Sequence, residues 1–320
     1  MTKLLSRFAE CIFWMARYVE RANSLARVLD VNQSYSYDAK GGRNWESVLR
    51  LYSHSELFAD RYDAITPENV LAFYLRDPLN PSSVRSCLRM ARENARTVRP
   101  LISTEMWSQI NAFYHEIKPL DPEDTTTQQL SDLAKLVKEG CQTHVGITME
   151  TFYRDEAWAF YVMGQQLERA DQTTRLLDAK YQQLLPKGAG EGSAFDVAQW
   201  YALLRAAAGF QAFRREHPSS TRPEHVAAFL LFNPRFPRSL TSAVATASEA
   251  LASLRRDFNL GSGREAQRRL RSFQSELADL DIGQVLQDLH GWLDWSQVQL
   301  MGVVNAIAQE FFGSPKSAAA

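Results

Sequence analysis

The sequence predicts an all-α protein made of two duplicated helical halves, packed as an elongated or compact helical bundle. Three observations carry that prediction. Apolar residues return at steps of three and four along nearly the whole chain, and no run alternates convincingly as a strand would. A charged segment inside that pattern occurs twice: residues 12–30 read IFWMARYVERANSLARVLD and residues 160–178 read FYVMGQQLERADQTTRLLD. The signals that start and stop the shorter helices also come back in the second half at nearly constant spacing.

The first half opens with a long amphipathic helix over 5–32, on which Trp14, Met15, Tyr18, Ala22, Leu25, Ala26 and Leu29 form the apolar stripe. Arg17, Glu20, Ser24 and Arg27 fall on its other side. A second helix is expected over 44–61. Thr66-Pro67 then reads as an N-cap followed by proline at the first helical position. The helix it opens is short, because Asp77-Pro78 and Asn80-Pro81 stop it. Helices near 82–99, 103–117 and 127–145 follow, with Lys118 to Asp124 as a loop.

The second half begins with a long helix over 149–184. Its best register sets Glu20 on Glu168, an offset of 168 − 20 = 148. In that register Glu20-Arg21-Ala22 meets Glu168-Arg169-Ala170, Asn23 meets Asp171, Arg27 meets Arg175, and Leu29-Asp30 meets Leu177-Asp178. Pro186 to Ser193 (PKGAGEGS) reads as a flexible linker, and Asp196 with Gln199 as a capping box. Trp200 to Arg205 then repeats Trp45 to Arg50, Pro223-Glu224 repeats Pro67-Glu68, and Asn233-Pro234 repeats Asp77-Pro78. The offset has drifted only to 223 − 67 = 156. The halves are 1–148 and 149–320, expected to form one integrated domain packed through the long helices.

Composition narrows the function classes. With 45% hydrophobic and 23% charged residues the chain is an ordinary globular protein. A net charge of −1 gives no global pull toward nucleic acid or membrane, so electrostatic recognition has to come from a local patch. Cys11, Cys87 and Cys141 are sparse and far apart, which fits a reducing compartment. Arg7, Glu10, Arg17, Glu20 and Arg21 interrupt the apolar N-terminal residues, which argues against a signal peptide or a membrane span. A cytoplasmic protein is expected.

The charged clusters are the leading site candidates. Asn23 or Asp171 lies four residues before Arg27 or Arg175, and Asp30 or Asp178 three residues after, all on one helical face. One reading is a buried salt-bridge network that sets how the long helices pack. The other is a paired polar site. In it, Glu20 and Glu168 are the candidate catalytic groups, as base or ligand, and Arg17, Arg21, Arg27, Arg169 and Arg175 are candidates for holding a carboxylate or phosphate. Burial discriminates: an open cleft favours a site, and full burial with paired arginines favours a scaffold.

A second feature is confined to one half. Arg85, Arg89, Arg92, Arg96 and Arg99 form a line along one helix, but at the 156 offset the second half has Thr241, Ala245, Ser248, Ala252 and Arg255. Arg89, Arg92 and Arg96 are therefore candidates for an anionic ligand or an acidic partner surface, or else their stems pack along the core edge. No HExxH, no ExxH pair, no Walker-type loop, no GxGxxG and no GxSxG occurs, so neither a metal site nor a cofactor is expected. Nucleic acid and membrane are not expected as partners.

These features together resemble a known family. Leu4-Leu5-Ser6-Arg7 leads into Phe13 to Ala22, Leu167-Glu168-Arg169-Ala170-Asp171 follows, and Arg92 to Arg96 and Ile102 to Trp107 match as well. The chain resembles, over nearly its whole length, the alpha-E family of bacterial helical proteins. Genes of that family neighbour those for a circularly permuted ATP-grasp protein and a transglutaminase-like protease. The resemblance therefore implies a helical accessory or partner subunit of an ATP-grasp ligase in a system that makes or modifies peptides or amides. Peptide-like or anionic ligands are possible, and the transglutaminase-like protein is a possible second partner. An enzyme with its own Glu/Arg site acting on a peptide or amino-acid derivative is the alternative. A purely structural scaffold is the third.

Overall fold

The computed structural model describes residues 4–36, 45–118, 127–183, 194–220 and 222–313. Fifteen α-helices and a closing π-helical turn make up the fold, with no strand among the described residues. The first half holds α1 (Ser6–Ser36), α2 (Trp45–Leu51), α3 (Ser55–Ala59), α4 (Pro67–Leu75), α5 (Val84–Thr97), α6 (Thr104–Ile117) and α7 (Thr127–Thr151). The second holds α8 (Glu156–Gln183), α9 (Ala194–Ala206), α10 (Phe210–Glu216), α11 (Pro223–Phe232), α12 (Leu240–Arg256), α13 (Arg264–Asp279), α14 (Ile282–Gln287) and α15 (Leu289–Ile307). The loop beyond Lys118, the Pro186–Ser193 linker and the side chain of Asp196 lie outside the described residues.

Packing repeats with the sequence. Helix α1 packs on α5 and α7, α8 packs on α12 and α15, and α1 and α8 pack on one another. The two long helices run parallel, because contacts climb both in the same sense. The Leu4 N–H donates to Glu156 Oε2, Gly164 abuts the Phe13 carbonyl, and Arg169 reaches Glu20. Their approach is close: a Cβ on Gly164 would lie 2.2 Å from the Phe13 oxygen.

Packing changes the reading of α1. The face carrying Arg17, Glu20, Ser24 and Arg27 looks like a solvent face by periodicity, yet Arg17, Glu20 and Ser24 are buried and Arg27 is half-buried. A helix packed by α5, α7 and α8 is covered on this side too, and its half-exposed stripe runs instead through Arg7, Trp14, Tyr18 and Arg21. Its charges must therefore be satisfied inside the protein.

Local chemistry explains the helix ends. Thr66 Oγ1 accepts from the Asn69 N–H at 3.2 Å, as Thr66-Pro67 predicts. Ser83 caps α5 through the Ser86 N–H and donates back to the Asp77 carbonyl; Ser239 does the same with Ser242 and Asn233. The helix expected from 149 instead starts at Glu156, because Asp155 Oδ1 accepts from the Ala157 and Trp158 N–H groups, while α7 runs on to Thr151.

The helix expected over 44–61 is broken into α2 and α3. Ser53 takes a left-handed backbone (φ 55°), and its N–H and that of His54 donate to Arg50 and Leu49. Ala208 (φ 56°) ends α9 in the same way through Arg205 and Leu204. Both are Schellman-type ends built without the usual glycine. Relieving the left-handed strain with Ser53→Gly or Ala208→Gly is expected to raise stability by about 1 kcal/mol each. Thermal melts check it, and unchanged or lower melting of both variants would refute it.

Candidate functional site

The two Glu-Arg segments meet across the α1/α8 interface and bond reciprocally. Arg21 of α1 grips Glu168 with both ends of its fork, Nε to Oε1 at 2.6 Å and Nη2 to Oε2 at 3.1 Å. Arg169 of α8 grips Glu20 in the same way, at 3.2 and 2.9 Å. Each glutamate also takes a second arginine. Arg17 donates to Glu168 Oε2 at 2.8 Å, and Arg238 lies 2.8 Å from Glu20 Oε1. Gln172 adds a bond to Glu168 at 3.2 Å, and Arg238 also donates to Ser24 Oγ.

The second arginines do not correspond. Arg17 has Gln165 at its place in α8, and Arg238, in the turn between α11 and α12, has Ser82 at its place in the first half. The network keeps its count by drawing the extra cation from a helix on one side and from a turn on the other. Arg238 is absent from the sequence-level candidates. The paired differences Arg17/Gln165 and Ser82/Arg238 are the sequence signal by which it can be found.

Other candidates stand at the edge of this core. Arg27 donates to Asn23 at 3.2 Å and Arg175 to Asp171 at 2.8 Å, the four-residue pairs expected from spacing. Asp30 and Asp178 reach other helices as well, pairing with Lys138 of α7 and His290 of α15. The arginine line of α5 is elsewhere. Arg92 bonds Asn111 and Glu93, Arg96 pairs with Glu93, and Arg89 and Arg96 are exposed. Among the described residues none of the line touches Glu20 or Glu168.

Electrostatics decide what the central carboxylates can do. Glu20 is 1% exposed and Glu168 0%. Burial alone pushes both carboxyls up, but the paired guanidiniums outweigh it and hold each at about 2, against an ordinary value of 4.5. Carboxylates enclosed in this way, with both oxygens bonded, are poor proton acceptors at neutral pH and present no open coordination site. They act as fixed anions that bind the two long helices together.

The sign of the pH dependence follows. A folded value depressed below the unfolded one gives stability that is present above about pH 4.5 and lost as pH falls toward 2. Acid unfolding followed by circular dichroism is expected to fall in that window, and Glu20→Gln and Glu168→Gln should each make the dependence shallower. Equal acid slopes in the variants and the parent would refute it.

A smaller cluster joins Asp178, His290 and Asp294, whose ligand-type atoms lie within 4.8 Å of one another. His290 Nδ1 bonds Asp178 at 2.7 Å and Nε2 lies 3.6 Å from Asp294. Each ring nitrogen faces its own carboxylate, so a metal ion would have to displace one of these pairs.

A family described as a predicted alpha-helical domain with a conserved ER motif matches residues 4–312. This chain belongs to the Alpha-E family. The Glu-Arg pair of that description occurs here twice, at Glu20-Arg21 and Glu168-Arg169, and both copies lie in the central network. Uncharacterized proteins of Mycobacterium bovis and Mycobacterium tuberculosis are 24% identical to this Alpha-E chain over 250 residues. The match covers 72% of the chain but only 28% of those relatives' length. No solved structure matches it. None of its helices is long and apolar enough to cross a membrane among the described residues.

Proposed function

We propose that this Alpha-E chain is a non-catalytic helical partner of an ATP-grasp ligase, in a cytoplasmic system that makes or modifies peptides or amides. The observation that carries the non-catalytic part is the enclosure of Glu20 and Glu168, each bonded by two arginines. The carboxylates best placed by sequence to act as bases are used up in holding α1 to α8. The partner part is supported by the length of the mycobacterial relatives, in which the matching region is 28% of a longer polypeptide. A unit built into larger chains is suited to work beside other modules. The reducing setting is supported by three cysteines free of disulfides.

The exposed side of α5 is the docking face in this reading. Arg89 and Arg96 face outward there, whereas Arg92 is engaged with Asn111 and stacks near Trp107 and Tyr114. Calorimetry with the purified chain tests the proposal. The ATP-grasp protein is expected to bind, ATP alone is not, and Arg89→Glu with Arg96→Glu should weaken partner binding, as should added salt. Tight ATP binding by the chain alone, or partner binding indifferent to charge reversal and salt, would overturn it.

A further inference from the structure

The two halves also differ in kind where α5 packs on α6 and α12 packs on α13. Ser83 and Ser239 cap α5 and α12, which align at 239 − 83 = 156. Helices α6 and α13 start after Ser103 and Gly263, an offset of 263 − 103 = 160. That offset also sets buried Met106, Ile110, Phe113 and Ile117 on buried Ala266, Leu270, Phe273 and Leu277.

In the first half the space between the two helices is filled. Trp107 lies beneath the guanidiniums of Arg92 and Arg99, at 5.8 and 5.0 Å, and Arg92 donates to Asn111 Oδ1 at 2.8 Å. In the second half Gln267 stands for Trp107, Ser248 for Arg92, Arg255 for Arg99 and Arg271 for Asn111. The indole is gone, and one guanidinium has moved from the first helix of the pair to the second. An open surface groove of about 440 Å³ is there instead, lined by Ala252, Arg255, Arg256, Gln267 and Arg271.

The lining leaves polar groups without partners. Gln267 is 5% exposed; its Nε2 donates to Ser248 Oγ at 2.9 Å, while its Oε1 meets no donor. A buried amide oxygen without a partner is costly; this one is closed to solvent as it stands, and a turn of the side chain toward the groove brings it to an incoming N–H or O–H. Arg256 is held by Glu249 and Asp257, but Arg255 and Arg271 form no ion pair among the described residues. Residues 249–271 carry six arginines against Glu249, Asp257 and Glu265, an excess of +3 in a chain of net charge −1.

We propose that the α12/α13 groove binds a small organic anion, a carboxylate or a phosphate, that bears a hydrogen-bond donor beside its charged group. Arg255 and Arg271 take the anion, and Gln267 Oε1 takes the donor. The site stands independently of any partner enzyme, since every group that forms it belongs to this chain.

Titration of the purified chain, followed by calorimetry, is the test. The probes are N-acetyl-glycyl-glycine, the same peptide as its C-terminal amide, glycerol 3-phosphate, and sulfate as an anion with no donor. Saturable binding of the free-carboxylate peptide or of glycerol 3-phosphate is expected, and which of them binds identifies the class. The peptide amide and sulfate should bind roughly tenfold more weakly or not at all. Arg255→Gln and Arg271→Gln should each weaken binding roughly tenfold. Ser248→Arg with Gln267→Trp, which fills the groove with the side chains found at those places in the first half, should abolish it. If that double variant fails to fold, the two exposed arginine variants still decide. Absence of saturable binding by both organic anions, sulfate binding as tight as theirs, or binding unchanged in Arg255→Gln and Arg271→Gln would overturn the proposal.

Discussion

Glu168→Gln is expected to lower the unfolding free energy by about 3–5 kcal/mol, the usual cost of removing one partner from a buried charge pair. The substitution keeps the shape of the side chain and removes only its charge. Arg17 and Arg21, side by side at the α1/α8 interface, would then face a neutral amide. Glu20→Gln should act similarly, leaving Arg169 and Arg238 without their anion. Arg27→Ala should cost less, because its bond to Asn23 lies within one helix and the residue is half-buried. Urea unfolding of the three variants measures the order. A Glu168→Gln variant as stable as the parent, or less affected than Arg27→Ala, would show that the network contributes little.

Gly164→Ala is expected to destabilise by about 2–3 kcal/mol, and Gly164→Val to prevent a stable fold. The added Cβ meets backbone rather than a side chain, at 2.2 Å from the Phe13 oxygen, so no rotamer change relieves it. The helices must part, which also stretches the bonds at Glu20 and Glu168 a turn further along. Gly146→Ala in α7 is the internal control. Nothing lies within 4 Å of its new Cβ, so helix propensity alone should raise stability by about 0.5–1 kcal/mol. Thermal melts of the pair test this, and equal shifts for Gly146→Ala and Gly164→Ala would remove the close approach as a determinant of the fold.

Much of the architecture is legible because it is local. Helical periodicity, the Thr66-Pro67 start and the Asp77-Pro78 stop each depend on residues within a turn or two, and the duplication can be read by sliding the chain along itself. The intrahelical bonds of Arg27 to Asn23 and Arg175 to Asp171 are visible for the same reason. The central pairs are not. Arg21 and Glu168 are 147 residues apart, and no spacing rule joins them. Arg238 is harder still, since it enters from a turn and lacks a counterpart in the first half. Periodicity also misplaces the charged face of α1, because a stripe pattern expects charges on the wet side, whereas the half-exposed side of α1 carries Trp14 and Tyr18 and its Glu20 is buried. The break at Ser53 is hidden because serine there does what glycine usually does.

The reciprocity of the Glu-Arg pairs has a consequence for ancestry and assembly. Glu20 takes both its arginines from the second half, and Glu168 takes both from the first. Each half therefore carries one carboxylate and one two-arginine clamp that points away from itself. That is the bonding logic of an isologous dimer, in which two copies exchange the same contact. A single-copy forebear of this design would close its charges only by meeting a second copy of itself. Joining the copies in one chain replaces a concentration-dependent encounter with an intramolecular one and fixes the stoichiometry. It also releases the copies from identity, so that one can keep Trp107 packed between arginines while the other leaves the same place open.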